Sequence, residues 1–206
     1  MDDPRTMVES GYDAVADRYE RLELDDRPWP RMRRLAALLD PLPDGARVLD
    51  MGCGNGVPVT RTMAERLEAT GVDISGAQIE RARRNVPGAT FVHGDLMSVD
   101  FEAPFAAIAA FYMVEHLPRE LHAVVFARFH RWLEPGGRLL FTVEPYDEPG
   151  VVGDWLGHPM FFSQHDPETT LGLLRAAGFE VLESAVESQF EGDHDVEYLW
   201  VLARRA

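Results

Sequence analysis

Lysine is missing from this chain altogether: all 20 basic residues among its 206 are arginine, so a Tyr-x-x-x-Lys pair of the kind found in hydride-transferring enzymes cannot be assembled. Cysteine is almost as scarce. Cys53 alone permits no internal disulfide and no cysteine-based metal site, and its place inside a glycine turn reads as a small residue that fits there, not as a reactive thiol. Positive charge is also in short supply, with 20 Arg against 35 Asp and Glu and a formal net charge of -15. A chain that grips DNA or RNA needs a basic face for the phosphates; this balance argues against nucleic acid and suits small or cationic ligands.

Longer features are missing too. There is no run of ~18 apolar residues and no N-terminal signal pattern, which predicts no membrane partner and a cytoplasmic protein. No internal repeat, Pro/Ser-rich linker or low-complexity tract divides the chain. With 206 residues, 46% of them hydrophobic, it can bury one good core, and a single domain over 1–206 is expected. Asp147, Glu148, Asp154, His158, His165 and Asp166 form a loose acidic and histidine-bearing set. None of their spacings matches a zinc or calcium signature, so no metal is expected. Composition does not set the oligomeric state.

What is present centres on VLDMGCGNG, Val48 to Gly56. Val48 and Leu49 are the last apolar residues of a buried strand, Asp50 closes it, and Gly52, Gly54 and Gly56 strip alternate side chains from the turn that follows. Such a turn lets a ligand lie against bare backbone. The helix opening near Val57 would aim free N–H groups at that ligand. A dinucleotide fold wants G-x-G-x-x-G, whose last glycine would fall at position 57, where this chain has Val57. Roughly 20 residues on, GVDIS carries Asp73 at a second strand's end, where an acid accepts the hydroxyls of a ribose; Asp95 in FVHGDLMSVDF closes a third. Each element also has a plainer reading, as a tight strand-to-helix connection at Gly52 to Gly56 and an N-cap pair at Asp73 and Ser75.

Strands and helices alternate, which predicts an α/β, doubly wound, mostly parallel sheet covered on both faces. Helices are expected from about Met7 to Leu22 and from Arg31 to Leu39, with a polar stretch rich in Asp, Arg and Pro before Pro30. Then come strand Arg47 to Asp50, helix Val57 to Leu67, strand Ala69 to Ile74, helix Ala77 to Asn85 and strand Thr90 to His93. Phe105 to Tyr112, almost unbroken in apolar residues, is the central strand. A helix over Leu117 to Leu133 ends at Pro135-Gly136-Gly137, a fifth strand runs from Arg138 to Glu144, and Asp166-Pro167 opens a helix that Gly178 stops. Glu180 to Phe190 and Val196 to Arg204, joined by Glu191 to Asp195, read as an antiparallel hairpin.

These motifs, in this order and spacing, resemble the class I S-adenosylmethionine-dependent methyltransferases of the small-molecule type. The residues that carry the resemblance are Asp50, Gly52, Gly54 and Gly56, then Asp73, then Asp95 with Leu96, then LEPGGRLLFTVEP from Leu133 to Pro145, and YDAVADRYERL from Tyr12 to Leu22. The resemblance implies a Rossmann-like seven-stranded sheet, a small-molecule acceptor, and S-adenosyl-L-methionine held by Tyr19, Asp50, Gly52, Cys53, Gly54, Gly56, Asp73, Ile74, Asp95, Leu96 and Phe111. It further implies that residues 1–40 form a helical cap over the methionine end, and that 146–165 cover the substrate. The competing readings are a regulatory or non-methylating protein that keeps the cofactor seat, and a nicotinamide-dependent oxidoreductase, which Val57 and the missing lysine argue against.

Transfer of a methyl group from a sulfonium needs alignment and exclusion of water more than a dedicated base. The aromatic insertion Tyr146 to His165, with Trp155, Leu156, Met160, Phe161 and Phe162, reads as a pocket wall for an aromatic or polyketide-like acceptor, or else as a short helix on the core. His116, in VEHLP, is the first candidate for a catalytic or cofactor-shaping side chain; His165, Tyr146 and His158 are the alternatives. His122, His130 and His194 are expected in solvent and His93 packed.

Overall fold

A computed structural model describes residues 3–23, 30–191 and 194–206. The polar stretch before Pro30 lies almost wholly outside the described residues, as does part of the turn expected at Glu191 to Asp195. Two helices come first, α1 (Pro4–Glu23) and α2 (Pro30–Leu39). The sheet then alternates with helices through β1 (Arg47–Met51), α3 (Val59–Met63), β2 (Glu68–Asp73), α4 (Gly76–Asn85), β3 (Thr90–His93), β4 (Phe105–Ala110), α5 (His122–Trp132) and β5 (Leu133–Val143). A hairpin follows, β6 (Glu148–Trp155) and β7 (His158–Gln164), then α6 (Pro167–Ala176), β8 (Phe179–Glu191) and β9 (His194–Arg205).

Seven strands pair in the order β3-β2-β1-β4-β5-β9-β8. The first five run parallel, and β9 enters antiparallel beside β5, with Thr142 opposite Trp200. This is the doubly wound sheet with an antiparallel C-terminal hairpin that the alternation predicted.

The core has two layers because neighbouring strand residues point to opposite faces. Leu49 and Ile108 look one way, onto Phe126, Phe129 and Trp132 of α5 and Leu174 of α6; Val48, Ala107 and Ala109 look the other way, onto Leu35 and Leu38 of α2 and Met63 of α3. All six residues of β4 are buried. Four of them are alanine, which lets helices approach the centre of the sheet closely from both sides.

Three of the differences from expectation have a local reason. The helix expected over Leu117 to Leu133 is only α5. Leu117 sits before Pro118, a position that disfavours helical dihedrals, and its extended ψ of 144° breaks the path into two short 3-10 turns, Val114–His116 and Arg119–Leu121. The helix expected from Val57 starts at Val59 with Pro58 as its N-cap and ends at Met63. The insertion 146–165 is neither a loop nor a helix. It is the β6–β7 hairpin, closed at Leu156-Gly157 by two residues of positive φ, 53° and 85°, the turn geometry that fits the twist of paired strands. It packs on α1 so closely that a Cβ added at Gly11 would come 2.8 Å from Met160 Cε.

Behind the glycine turn, β2 carries Gly71, where a Cβ would meet the Phe91 ring at 2.7 Å and Cys53 Sγ at 2.9 Å. Gly71→Ala is therefore expected to lower the urea unfolding free energy by about 1–3 kcal/mol, the usual effect of overpacking a core. An unchanged midpoint would show that Phe91 and Cys53 do not clamp this strand.

Candidate functional site

Past Met51 the chain turns through Gly52, Cys53, Gly54, Asn55 and Gly56. Gly52 has φ of +76° and backs onto Met113, whose Cβ would lie 2.8 Å from an added Cβ; Gly54 has φ of +52° and faces the Tyr19 ring at 3.3 Å. Only glycine takes both conformations without strain. Four of the turn's amides are engaged internally, those of Gly52, Cys53, Gly54 and Gly56. Gly52 N and Cys53 N donate to the Val72 carbonyl at 2.8 and 3.0 Å, Gly56 N to the Cys53 carbonyl, Gly54 N to Asp73 Oδ2 at 2.8 Å and Val57 N to Asn55 Oδ1. The N–H group of Val57, just ahead of the next helix, is thus already satisfied. The turn offers a ligand bare glycine surface and an acidic neighbour, and no phosphate cradle.

That acid, Asp73, ends β2 and also accepts from Ser75 N at 2.9 Å, while Ser75 caps α4 by accepting from Gln78 N. The capping role and a ligand-binding role coexist, because two backbone donors leave a carboxylate further lone pairs. Burial raises the Asp73 pKa above the ordinary carboxylate value, and the two amides only partly oppose it. Asp95, after β3, accepts from Met97 N at 2.8 Å and from Arg5 Nη1 at 2.7 Å.

These residues line one partly open cleft, with a cavity volume of about 80 Å³. Of the predicted residues, Tyr19, Gly52, Gly54, Asp73, Ile74, Asp95, Leu96 and Phe111 line it. Asp50, Cys53 and Gly56 do not. Asp50 lies beneath the turn and accepts from Thr60 Oγ1 at 2.5 Å; Cys53 packs with Ile79, Ala82, Val86 and Phe91; a Cβ at Gly56 would meet Phe91 and Val86. They shape the seat from behind. Burial pushes the Cys53 thiol pKa well up, which keeps it unreactive.

The roof of the cleft is α1. Arg5, Val8, Tyr12 and Tyr19 line the cleft at spacings of three, four and seven, a helical face that could have been read in the sequence but went unused. Asp13 Oδ1 fastens the roof by accepting from Ser75 Oγ at 2.6 Å and Ala77 N at 3.0 Å, and Asp17 pairs with Arg81. Tyr112 and Met113 also line the cleft and were missed. Tyr112 was assigned to the central strand, but that strand ends at Ala110, and Tyr112 takes a φ of 53°, uncommon for a side chain of its size.

Among the catalytic candidates, His116 alone lines the cleft. Its Nδ1 lies 2.9 Å from the Phe161 carbonyl and its Nε2 2.8 Å from the Tyr12 hydroxyl. Burial lowers its pKa to about 4, so the ring is neutral near pH 7. His165 stands apart from the cleft lining, with Nε2 3.2 Å from the Arg119 carbonyl. Tyr146, half in solvent, donates to Glu144 Oε2 at 2.6 Å, and burial together with that carboxylate raises its pKa. His158 faces Trp155 across the hairpin turn. Two other histidines are not where they were expected: His122 is fully buried and His93 is exposed. His130 is half-buried with its ring edge-on to Phe179, and the side chain of His194 lies outside the described residues. Among the described residues no group of three or more His, Cys, Asp or Glu could hold a metal, and no helix is long and apolar enough to cross a membrane.

Residues 48–137 match the methyltransferase domain family. The 27-O-demethylrifamycin SV methyltransferase of Amycolatopsis mediterranei is 34% identical over 155 residues, which are 64% of this chain and 56% of that one. The chain spans less than two thirds of the length of the curated relatives it matches. Among solved structures, magnesium protoporphyrin IX methyltransferase from Synechocystis PCC 6803, with bound S-adenosylmethionine, superposes with a TM-score of 0.78 at 18% identity, over 99% of this chain and 98% of that one. The [4+2]-cyclase SpnF superposes with a TM-score of 0.76 at 21% identity, over 98% and 96%.

Two buried neutral histidines make acid sensitivity a property of this fold. His116 and His122 both have pKa values near 4 in the folded chain, against 6.5 when exposed. Between those values the unfolded chain binds the extra protons, so stability is complete above about pH 6.5 and falls as pH drops toward 4. His122→Gln is expected to reduce the slope of unfolding free energy against pH in that window by up to ~1.4 kcal/mol per unit, one proton's worth. An unaltered slope would mean that His122 does not carry this coupling.

Proposed function

We propose that the chain is a class I S-adenosylmethionine-dependent methyltransferase that methylates a small-molecule acceptor, a reading supported by the match of residues 48–137 to the methyltransferase domain and by the methyltransferase relatives. One observation carries the choice of ligand. Gly52, Cys53, Gly54 and Gly56 have used their amides internally, while Asp73 and Asp95 lie along the cleft. A diphosphate would meet Asp73 and Asp95 there, with Arg5 already paired to Asp95, whereas a hydroxyl-bearing cationic ligand meets acceptors. The residues fit the cofactor: Asp73 keeps lone pairs for ribose hydroxyls, Ile74 and Leu96 offer apolar faces to adenine, and Gly52 and Gly54 leave room where a Cβ would crowd Met113 and Tyr19.

The bound cofactor supplies a methyl carbon already activated by its sulfonium. What the protein adds is alignment and dryness. The α1 helix roofs the cleft, and the β6–β7 hairpin packs on α1 and on the His116 turn without lining the cleft itself, which supports reading α1 as the cap and 146–165 as its support, while α2 packs on the sheet. Burial makes His116 a weak proton acceptor, with a pKa of about 4, and its Nε2 already faces Tyr12, so in this reading alignment supplies most of the rate. The net charge of -15 fits a small acceptor and no nucleic acid, in a cytoplasmic enzyme of open oligomeric state.

Titration calorimetry tests the seat. S-adenosylhomocysteine is expected to bind in the micromolar range, about 8 kcal/mol, with no heat from NAD. Asp73→Ala is expected to weaken binding by ~1.5–3 kcal/mol, the scale of hydrogen bonds to a charged group. Hydroxyls that favour the carboxylate lower its pKa on binding, so affinity is full above the raised pKa of the free protein and declines as pH falls through it. Heat from NAD alone, or an Asp73→Ala variant with unchanged affinity, would contradict the assignment.

A further inference from the structure

The polarity of one hydrogen-bonded chain in the cleft wall bears on which acceptors fit, an inference that rests on the methyl-transfer reading. The Phe161 carbonyl can only accept, so at 2.9 Å the hydrogen of His116 resides on Nδ1. The ring is buried and pairs with no carboxylate among the described residues, which leaves Nε2 as a lone pair. The Tyr12 hydroxyl, 2.8 Å away, has a single proton and donates it there. Towards every other neighbour the Tyr12 oxygen is therefore an acceptor only. Tyr112, a second phenol in the lining, has likewise committed its proton, to Gln189 Oε1 at 2.9 Å.

Three segments fix this polarity together. Tyr12 comes from the α1 roof, His116 from the turn after β4, and Phe161 from the hairpin. We propose that Tyr12 positions the methyl acceptor by accepting a hydrogen bond from it, and so selects a nucleophile that still bears a hydrogen, a hydroxyl or an amine, over a carboxylate. As the C–S bond breaks and the methyl group bonds to the nucleophile, the sulfonium becomes a neutral thioether and the nucleophile's hydrogen leaves as a proton to water. A carboxylate would set its lone pairs against that oxygen. It would also approach a chain of net charge -15, which repels anions.

Two measurements on the full chain test this. In the first, histidine ring nitrogens are labelled with nitrogen-15, and the His116 signals are assigned by their loss in His116→Gln. At pH 7 the expected spectrum has Nδ1 protonated and Nε2 unprotonated, with Nε2 shifting in Tyr12→Phe; a protonated Nε2, or no shift, overturns the proposal. In the second, product formation is followed with S-adenosylmethionine and three probes of one shape: 2-naphthol, 2-naphthylamine and 2-naphthoate. Turnover of the naphthol or the amine but not the acid is expected. Tyr12→Phe is expected to cut kcat at least ~10-fold, within the range of lost positioning, and to leave S-adenosylhomocysteine affinity within threefold. Methylation of 2-naphthoate, or an unaffected Tyr12→Phe, overturns the proposal. If no probe turns over, the nitrogen spectrum decides by itself. Failure of S-adenosylhomocysteine to bind would fault the methyl-transfer reading instead, whereas intact binding with the wrong tautomer faults only the role of Tyr12.

Discussion

The hydrogen bond from Gly54 N to Asp73, with the Val72 carbonyl receiving both Gly52 N and Cys53 N, is the joint on which the rest of the molecule turns. It fastens the end of β1 to the end of β2, and it determines what the turn can bind. Were those amides free, the chain would present an anion site; because they are engaged, the same turn presents bare backbone beside a carboxylate. Strand order then supplies the remainder. With β1 between β2 and β4, Asp73, the glycine turn and Phe111 gather at one sheet edge, the place where open α/β sheets bind ligands.

The covering of that edge is polar at its rim and aromatic within. Arg5 pairs with Asp95, Asp13 caps the start of α4, and Asp17 meets Arg81, all from α1. Exposed pairs of this kind contribute roughly 0–1 kcal/mol each, so the burial of Val8, Val15 and Ala16 holds the roof alongside them. Inside the rim, Tyr12 stacks edge-on against Tyr19 and His116, and His116 lies 5.0 Å from the Phe162 ring. The hairpin thereby reaches the cleft through His116 and Phe161.

Much of this was legible in the sequence because it is local. Alternating elements, a glycine-rich strand end and acids at Asp73 and Asp95 follow from periodicity and spacing, and the sheet was read correctly, down to its antiparallel hairpin. What escaped depends on chain segments far apart. Asp50, Cys53 and Gly56 share a motif with Gly52 and Gly54, yet their packing partners, Thr60, Phe91 and Val86, turn them away from the cleft. Arg5 and Tyr12 join the site only because α1 folds back over the sheet. His122 looks like a surface histidine on a helix, and it is buried because the adjacent 3-10 turns and His165 close over it. The hairpin was hidden by its proline, glycine and paired phenylalanines, which blur the alternation of a strand.

A crystal structure of the chain grown with S-adenosylhomocysteine tests the central claim most directly, that the satisfied glycine turn and its acids form a seat for a methyl-donor nucleoside. The account predicts ribose hydroxyls within hydrogen-bond distance of Asp73, adenine between Ile74 and Leu96, and the sulfur facing the side of the cleft lined by Tyr12 and His116. Density for the nucleoside elsewhere, or a cleft that stays empty at saturating ligand with Asp73 bonded only to Gly54 and Ser75, would contradict it.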